Sequence, residues 1–171
     1  ERFKKSYFGD VVKDGKPVYF SGDGAMMDKD GYITITGRVD DVINVSGHRM
    51  GTAEIEAAVA EDEHVAEVAV VGRPHEIKGE SIFVYVVPKE GHVNPDIKKH
   101  INDLLAKEIG NIAKADDIVE VPGLPKTRSG KIMRRILRAI AKGEEIKQDI
   151  STLEDPTIVA KIQEAVQAAS K

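Results

Sequence analysis

Two β-branched-rich runs, "VAEVAVVG" at 65–72 and "SIFVYVVP" at 81–88, are separated only by the Gly/Pro-containing connection "RPHEIKGE". Val, Ile, Phe and Tyr favour extended backbone, so the runs read as two neighbouring strands. Helical periods surround them. Thr52 is placed to cap a helix whose apolar face carries Ile55 and Val59. Asn94 and Pro95 form a favoured cap and first position for a helix bearing Ile97, Ile101, Leu104, Leu105 and Ile109. "DDIVEVP" reads as a short third strand. Ile132, Met133, Ile136, Leu137 and Ile140 then line a helix that ends at Gly143, and Asp155-Pro156 opens a last one with Ile158, Val159, Ile162 and Val166. Strands and helices mixed in this order predict an α+β domain: a small mixed sheet with helices packed on it.

Residues 1–37 follow another pattern. Asp14-Gly15 and Asp30-Gly31 each sit between strand-like stretches, and Asp-Gly suits hairpin turns because glycine accepts positive φ. The segment reads as consecutive hairpins with too few apolar residues for a core of their own. It is expected to be the edge of a larger N-terminal domain, and a chain starting at Glu1 rather than Met is expected to be a piece of a longer protein. "GRVDDVINVSGHRMG" then reads as a glycine-bounded hairpin or loop.

Composition narrows the function classes. With 25 Lys+Arg against 29 Asp+Glu the net charge is -4, so overall charge does not recruit nucleic acid. No run approaches the ~20 apolar residues of a membrane-spanning helix. The chain has no cysteine, which removes thiol nucleophiles, disulfides and thiolate metal sites and is compatible with a reducing cytoplasm.

"LPKTRSGKIMRR", 124–135, holds five cations and no acid: Lys126, Arg128, Lys131, Arg134 and Arg135. It is either a solvated helix start or a loop that holds Lys131 toward negative charge elsewhere. A Walker-type phosphate loop is excluded, because six residues separate Gly123 from Gly130 and Ile132 follows the lysine. Arg134, Arg135 and Arg138 lie on the polar face of an amphipathic helix with no interleaved aromatics, which speaks for a structural or partner-facing role over nucleic acid. The five histidines, His48, His64, His75, His92 and His100, show no paired metal-ligand spacing and read as surface or loop residues. No Gly-x-Ser-x-Gly elbow is present.

Three ordered blocks remain: "YFSGDGA" at 19–25, "DGYITITGRVDDVINVSGHRMGTAEIE" at 30–56, and "LPKTRSGKIMRR". Their order and spacing resemble the adenylate-forming acyl-CoA ligases, and within them the AMP-forming acetyl-CoA synthetases. The resemblance covers nearly the whole chain. It implies that residues 1–39 are the last hairpins of a large N-terminal domain, absent here and acting in cis, and that 40–171 are the small mobile C-terminal domain. The implied reaction converts acetate, ATP and CoA through acetyl-AMP into acetyl-CoA, AMP and pyrophosphate, with Mg²⁺ as a further cofactor and the cytoplasm as location. A propionate or other short-chain ligase, or a standalone phosphate- or protein-binding module, are the alternatives. This piece alone is expected to be inactive.

By the same resemblance, Lys131 is the catalytic lysine that meets charge building on the α-phosphate. Asp23 accepts the ribose hydroxyls, Arg38 makes a second ribose or phosphate contact, and Arg49 meets the phosphates. Asp40 is the hinge, Gly47 lines the pantetheine tunnel and Ser46 contacts CoA. A Mg²⁺ site would use Ala60, Asp62 and Val65, with Asp62 departing from the relatives. The arginine that contacts a CoA phosphate in bacterial relatives is Ala106 here, with Lys107 as a substitute. The resemblance also implies control of Lys131 by a lysine acetyltransferase and deacetylase.

Overall fold

The computed structural model describes residues 1–9, 12–39, 41–90, 96–147 and 149–169. The chain divides into two units, Glu1–Asp41 and Val42–Lys171.

The first unit begins with a helix, α1 (Arg2–Phe8), where hairpin structure was expected. The reason is local. Phe3 and Tyr7 stand one helical turn apart with ring centroids 5.2 Å from each other, a contact an extended chain would not make. β1 (Val12–Lys13) and β2 (Lys16–Pro17) then form the expected hairpin, with Asp14 at φ 52° and Gly15 at φ 74°. β3 (Asp23–Met27) pairs antiparallel with β4 (Ile33–Arg38). Their connection is longer than a two-residue Asp-Gly turn. Asp28 Oδ1 accepts the amides of Asp30 and Tyr32, both at 2.9 Å, and so shapes residues 28–32. Neither hydrophobic cluster draws on this unit, and Met26, Met27, Tyr32, Ile33 and Ile35 are all exposed.

The second unit is built on a five-stranded sheet. β5 (Val42–Val45) and β6 (His48–Gly51) form a hairpin, and α2 (Thr52–Ala60) follows at once. Thr52 lies inside α2 and is buried, so Gly51 holds the cap position and no side chain caps the helix. β7 (Val65–His75) and β8 (Gly79–Pro88) pair antiparallel along their whole length. α3 (Ile97–Glu108) crosses back, and β9 (Asp117–Glu120) lies parallel to β8. α4 (Arg134–Lys142) and α5 (Ile158–Ala169) complete the unit. The mixed sheet matches the expected fold class. Asn94 and Pro95, read as the start of α3, lie outside the described residues, as does Asp40.

Alternation along the strands explains the unbroken apolar runs. Ile82, Val84 and Val86 of β8 join Val70, Ile118, α2 and α3 on one face. Phe83 and Tyr85 join Ala69, Val71, Val119, α4 and α5 on the other. Helices cover both faces, so both alternating sets of these side chains meet apolar neighbours. α4 starts two residues later than the Ile132–Met133 periodicity suggests, because Ile132 is held in a bridge to Lys126. It stops where expected, at Gly143 with φ 68°, a left-handed C-cap. Among the described residues no helix is long and apolar enough to cross a membrane.

Candidate functional site

The β3–β4 hairpin brings Asp23 and Arg38 together as register partners. Arg38 Nη1 donates to Asp23 Oδ1 at 3.2 Å and to the Ser21 carbonyl at 2.9 Å. Gly22 permits this approach: its φ is 79°, and a Cβ there would lie 2.8 Å from the guanidinium. The pair sets a carboxylate acceptor beside a forked donor on an exposed edge, a combination suited to a diol next to a phosphate.

In the second unit, Ser46 and Gly47 form the two-residue turn between β5 and β6. Both are left-handed, at φ 49° and 83°, as a primed hairpin turn requires. The Ser46 amide donates to the Lys78 carbonyl at 2.8 Å, which seats the turn beside the β7–β8 connection. A Cβ on Gly47 would meet nothing within 4 Å, so the tip is bare. Arg49 is exposed on β6, opposite Asn44.

Lys131 lies on a pinned loop rather than a loose one. Lys126 and Ile132 are bridged, the Thr127 amide donates to the Lys131 carbonyl at 2.9 Å, and the Lys131 amide donates to Thr127 Oγ1 at 3.2 Å. Gly130 turns the chain at φ 80°. The backbone is thereby fixed while the Lys131 side chain is exposed. The five cations separate by role. Lys126 donates to Glu67 at 2.7 Å and Arg134 to Glu56 at 2.7 Å, whereas Arg128, Lys131 and Arg135 are exposed.

Glu56 is a residue that sequence reading passed over. Among the described residues β7 pairs only with β8, so its other edge presents unpaired amides. Glu56 Oε1 accepts the Val70 amide at 2.9 Å, and its carboxylate also takes Nε and Nη2 of Arg134. The ion pair thus straps α2 to the start of α4 around an open strand edge, three residues from Lys131.

The loops carrying Lys131 and Ser46–Gly47 are anchored at opposite ends of β7. The first is tied to Glu67 through Lys126, the second sits beside the turn that follows His75. At ~3.3 Å per residue these anchors are roughly 26 Å apart. The two sets of candidate residues therefore do not share one pocket within this unit.

At the end of α2, Ala60 is exposed, Asp62 and Val65 are buried, and the Val65 amide donates to the Asp62 carbonyl at 3.1 Å. The Asp62 carboxylate is met by two imidazoles: His64 Nδ1 lies 3.0 Å from Oδ1, and His100 Nε2 lies 2.7 Å from Oδ2. Burial acts to raise the Asp62 pKa. The His64 amide and ring, with charge from His100 and His64, outweigh it and hold the carboxyl below its ordinary value. This donor set is nitrogen-rich. Mg²⁺ is a hard cation that takes oxygen ligands, so this side-chain cluster does not fit it. His64 and His100 come together only through the fold, one from the α2–β7 turn and one from α3. Ala106 is half-buried on α3, and Lys107 is exposed beside Glu108, 2.8 Å away.

Comparison with known proteins gives a consistent picture. Residues 54–131 match the family described as AMP-binding enzyme C-terminal domain. The acetyl-coenzyme A synthetase of Wolinella succinogenes is 62% identical over 169 residues, 96% of this chain and 26% of its own length. That of Thiobacillus denitrificans is 58% identical over 97% of this chain and 26% of its own length. The chain therefore spans about a quarter of the length of these relatives. Among solved structures, an anthranilate CoA ligase in complex with anthranoyl-AMP superposes with a TM-score of 0.67 and 29% identity, over 75% of this chain and 25% of that one. An ATP-bound RpMatB-BxBclM chimera gives 0.70 and 26%, over 84% and 27%.

Proposed function

Since this chain carries an AMP-binding enzyme C-terminal domain and belongs among the adenylate-forming ligases, we propose that it is the mobile C-terminal part of an acetate–CoA ligase. In this reading residues 1–39 close a larger domain that holds the acyl pocket, and 40–171 rotate about Asp40 between two half-reactions in the cytoplasm. Acetate first attacks the ATP α-phosphate and expels pyrophosphate. The thiol of CoA then attacks the acetyl carbonyl and expels AMP. Mg²⁺ enters with the ATP phosphates.

The observation that carries the reading is the placement of Lys131. Its backbone is pinned and its ammonium exposed, on a loop anchored at the opposite end of β7 from the Ser46–Gly47 turn. A fixed loop with a compact cation at its tip suits charge that gathers briefly between a carboxylate and a phosphate. Asp23 would accept the ribose hydroxyls, with Arg38 and Arg49 on the ribose or phosphates. After rotation the bare tip at Gly47 would admit the pantetheine arm, with Ser46 as its polar contact and Lys107 standing in at the CoA phosphate for the arginine that Ala106 replaces. Two separated loops on one rigid sheet allow one domain to serve both steps by turning.

The test is Lys131→Ala in the enzyme that joins this chain to its acyl-pocket domain. Acetate-dependent pyrophosphate exchange should fall by about 10²–10³, while supplied acetyl-AMP and CoA still give thioester. Acetylation of Lys131 by a modifying acetyltransferase should act alike, since it removes the charge. Survival of adenylation in the variant rejects the role of Lys131.

A further inference from the structure

Two ion pairs flank Lys131, and both lead to β7. Before it, Lys126 Nζ lies 2.7 and 2.6 Å from the two carboxylate oxygens of Glu67. After it, Arg134 holds the Glu56 carboxylate that also accepts the Val70 amide. Glu67 and Val70 are three residues apart on β7, roughly 10 Å along the strand. We propose that Glu67 is a positioning residue for the adenylation half-reaction: through Lys126 it fixes the direction in which the hairpin at 125–133 presents the Lys131 ammonium. The inference rests on the ligase reading above and deepens it.

One anchor leaves a rigid body free to pivot, and two set its direction. The hairpin is rigid within itself. The Thr127 amide donates to the Lys131 carbonyl, the Lys131 amide to Thr127 Oγ1, and the Met133 amide to the Pro125 carbonyl. Its other backbone ties lead to the segment before α5: the Glu154 amide donates to the Lys126 carbonyl, and Thr127 is bridged to Leu153. Among the described hydrogen bonds and ion pairs, Lys126–Glu67 is the hairpin's tie to β7.

A local irregularity aims Glu67. The pairing of β7 with β8 runs from Val65–Pro88 to Glu67–Val87, so Ala66 is an extra residue on β7. Such a bulge bends the strand and re-aims the side chains beside it. The cleft around the pair is also lined by Glu154 and Asp155, both exposed. Without the Glu67 charge, these two acids on the α5 side would draw Lys126 and its hairpin away from β7. The pair itself is 31% and 37% exposed, so it adds little to stability, and its effect falls on geometry. Geometry is what a charge contact in a transition state needs: a displacement of about 1 Å can cost about 10²-fold in rate.

The experiment has two arms. In the enzyme that joins this chain to its acyl-pocket domain, Glu67→Gln should lower kcat for acetate-dependent pyrophosphate exchange by about 10–100-fold. Thioester formation from supplied acetyl-AMP and CoA should stay within about twofold of the parent, and the thermal midpoint should fall by no more than about 3 °C. The charge-reversed pair, Glu67→Lys with Lys126→Glu, should recover most of the exchange that either single change loses. Lys99→Gln, which breaks the exposed pair with Asp103 on α3, should alter neither half-reaction. The second arm does not depend on the ligase reading. The chain has no cysteine, so spin labels at Arg128→Cys on the hairpin and Ile77→Cys beyond the far end of β7 report one distance. Its distribution should broaden or shift in Glu67→Gln and return in the charge-reversed pair. The proposal is overturned by an unchanged distance distribution, by exchange that survives Glu67→Gln, by equal loss of both half-reactions, or by charge reversal that recovers nothing. Lys131→Ala, run alongside, separates the two readings. If it loses exchange and Glu67→Gln does not, the positioning role alone fails; if it keeps exchange, both fail.

Discussion

Replacing Glu56 by alanine removes one carboxylate that serves three donors: the Val70 amide at 2.9 Å, and Arg134 Nε and Nη2 at 3.3 and 2.7 Å. Val70 is fully buried, so its amide on the edge of β7 would lose its acceptor without gaining water. That loss costs about 1–3 kcal/mol. The ion pair is 26% exposed at Arg134 and 15% at Glu56, enough burial for a charge-assisted bond to contribute about 1.5–3 kcal/mol. Together, Glu56→Ala should destabilise the second unit by about 3–5 kcal/mol. Glu56→Gln keeps an oxygen for Val70 and loses only the charge, so it should cost about 1–2 kcal/mol. With a urea m-value near 2 kcal/mol/M, the alanine variant should lower the unfolding midpoint by roughly 1.5–2.5 M and the glutamine variant by less than about 1 M. Urea unfolding followed by far-ultraviolet circular dichroism measures both. Equal midpoints for the two variants would show that the Val70 amide does not depend on Glu56, and a parent-like midpoint for alanine would refute the strap.

Two other outcomes are expected. Gly47→Leu should cost about 1–2 kcal/mol in this chain, because φ is 83° but no atom lies within 4 Å of the new Cβ. In the joined enzyme it should spare pyrophosphate exchange and block thioester formation, and equal loss of both would reject a tunnel role. For Tyr85, burial pushes the phenol pKa well above its ordinary value, with nearby Asp117 adding to the rise and Arg73 opposing it. The folded state thus holds this proton more tightly than the unfolded one. The stabilisation is fully present below pH of about 10 and is lost as pH rises from there toward the folded value. Thermal midpoints should therefore fall above pH of about 10, and Tyr85→Phe should flatten that fall. The same variant gives up the 2.8 Å bond to the Leu137 carbonyl, about 0.5–1.5 kcal/mol. An unchanged alkaline slope in Tyr85→Phe would contradict the assignment.

What the sequence determined by itself is what depends on near neighbours along the chain. The Asp14-Gly15 turn, the strands at 65–75 and 79–88 and the stop at Gly143 follow from residues that accept positive φ or fit a pleated strand. The ordered motif blocks likewise supply the proposed roles of Lys131, Asp23 and Gly47, because each block is contiguous. Even Asp23 and Arg38 meet through a hairpin that pattern alone predicts. Elsewhere local signals were outweighed. Thr52 looked like a cap but is drawn into the core, and the lysine loop is a small pinned hairpin because Thr127 folds back on Lys131.

Only the tertiary structure decided the long-range meetings. Glu56 and Arg134 are 78 residues apart, and they meet because β7 is an edge strand with α2 and α4 on opposite faces. His100 reaches Asp62 because α3 packs on the same face as α2. No spacing rule can forecast such pairs. Strand order and helix placement are set by how the whole apolar surface is buried, and that choice brings together side chains whose distance along the chain carries no information.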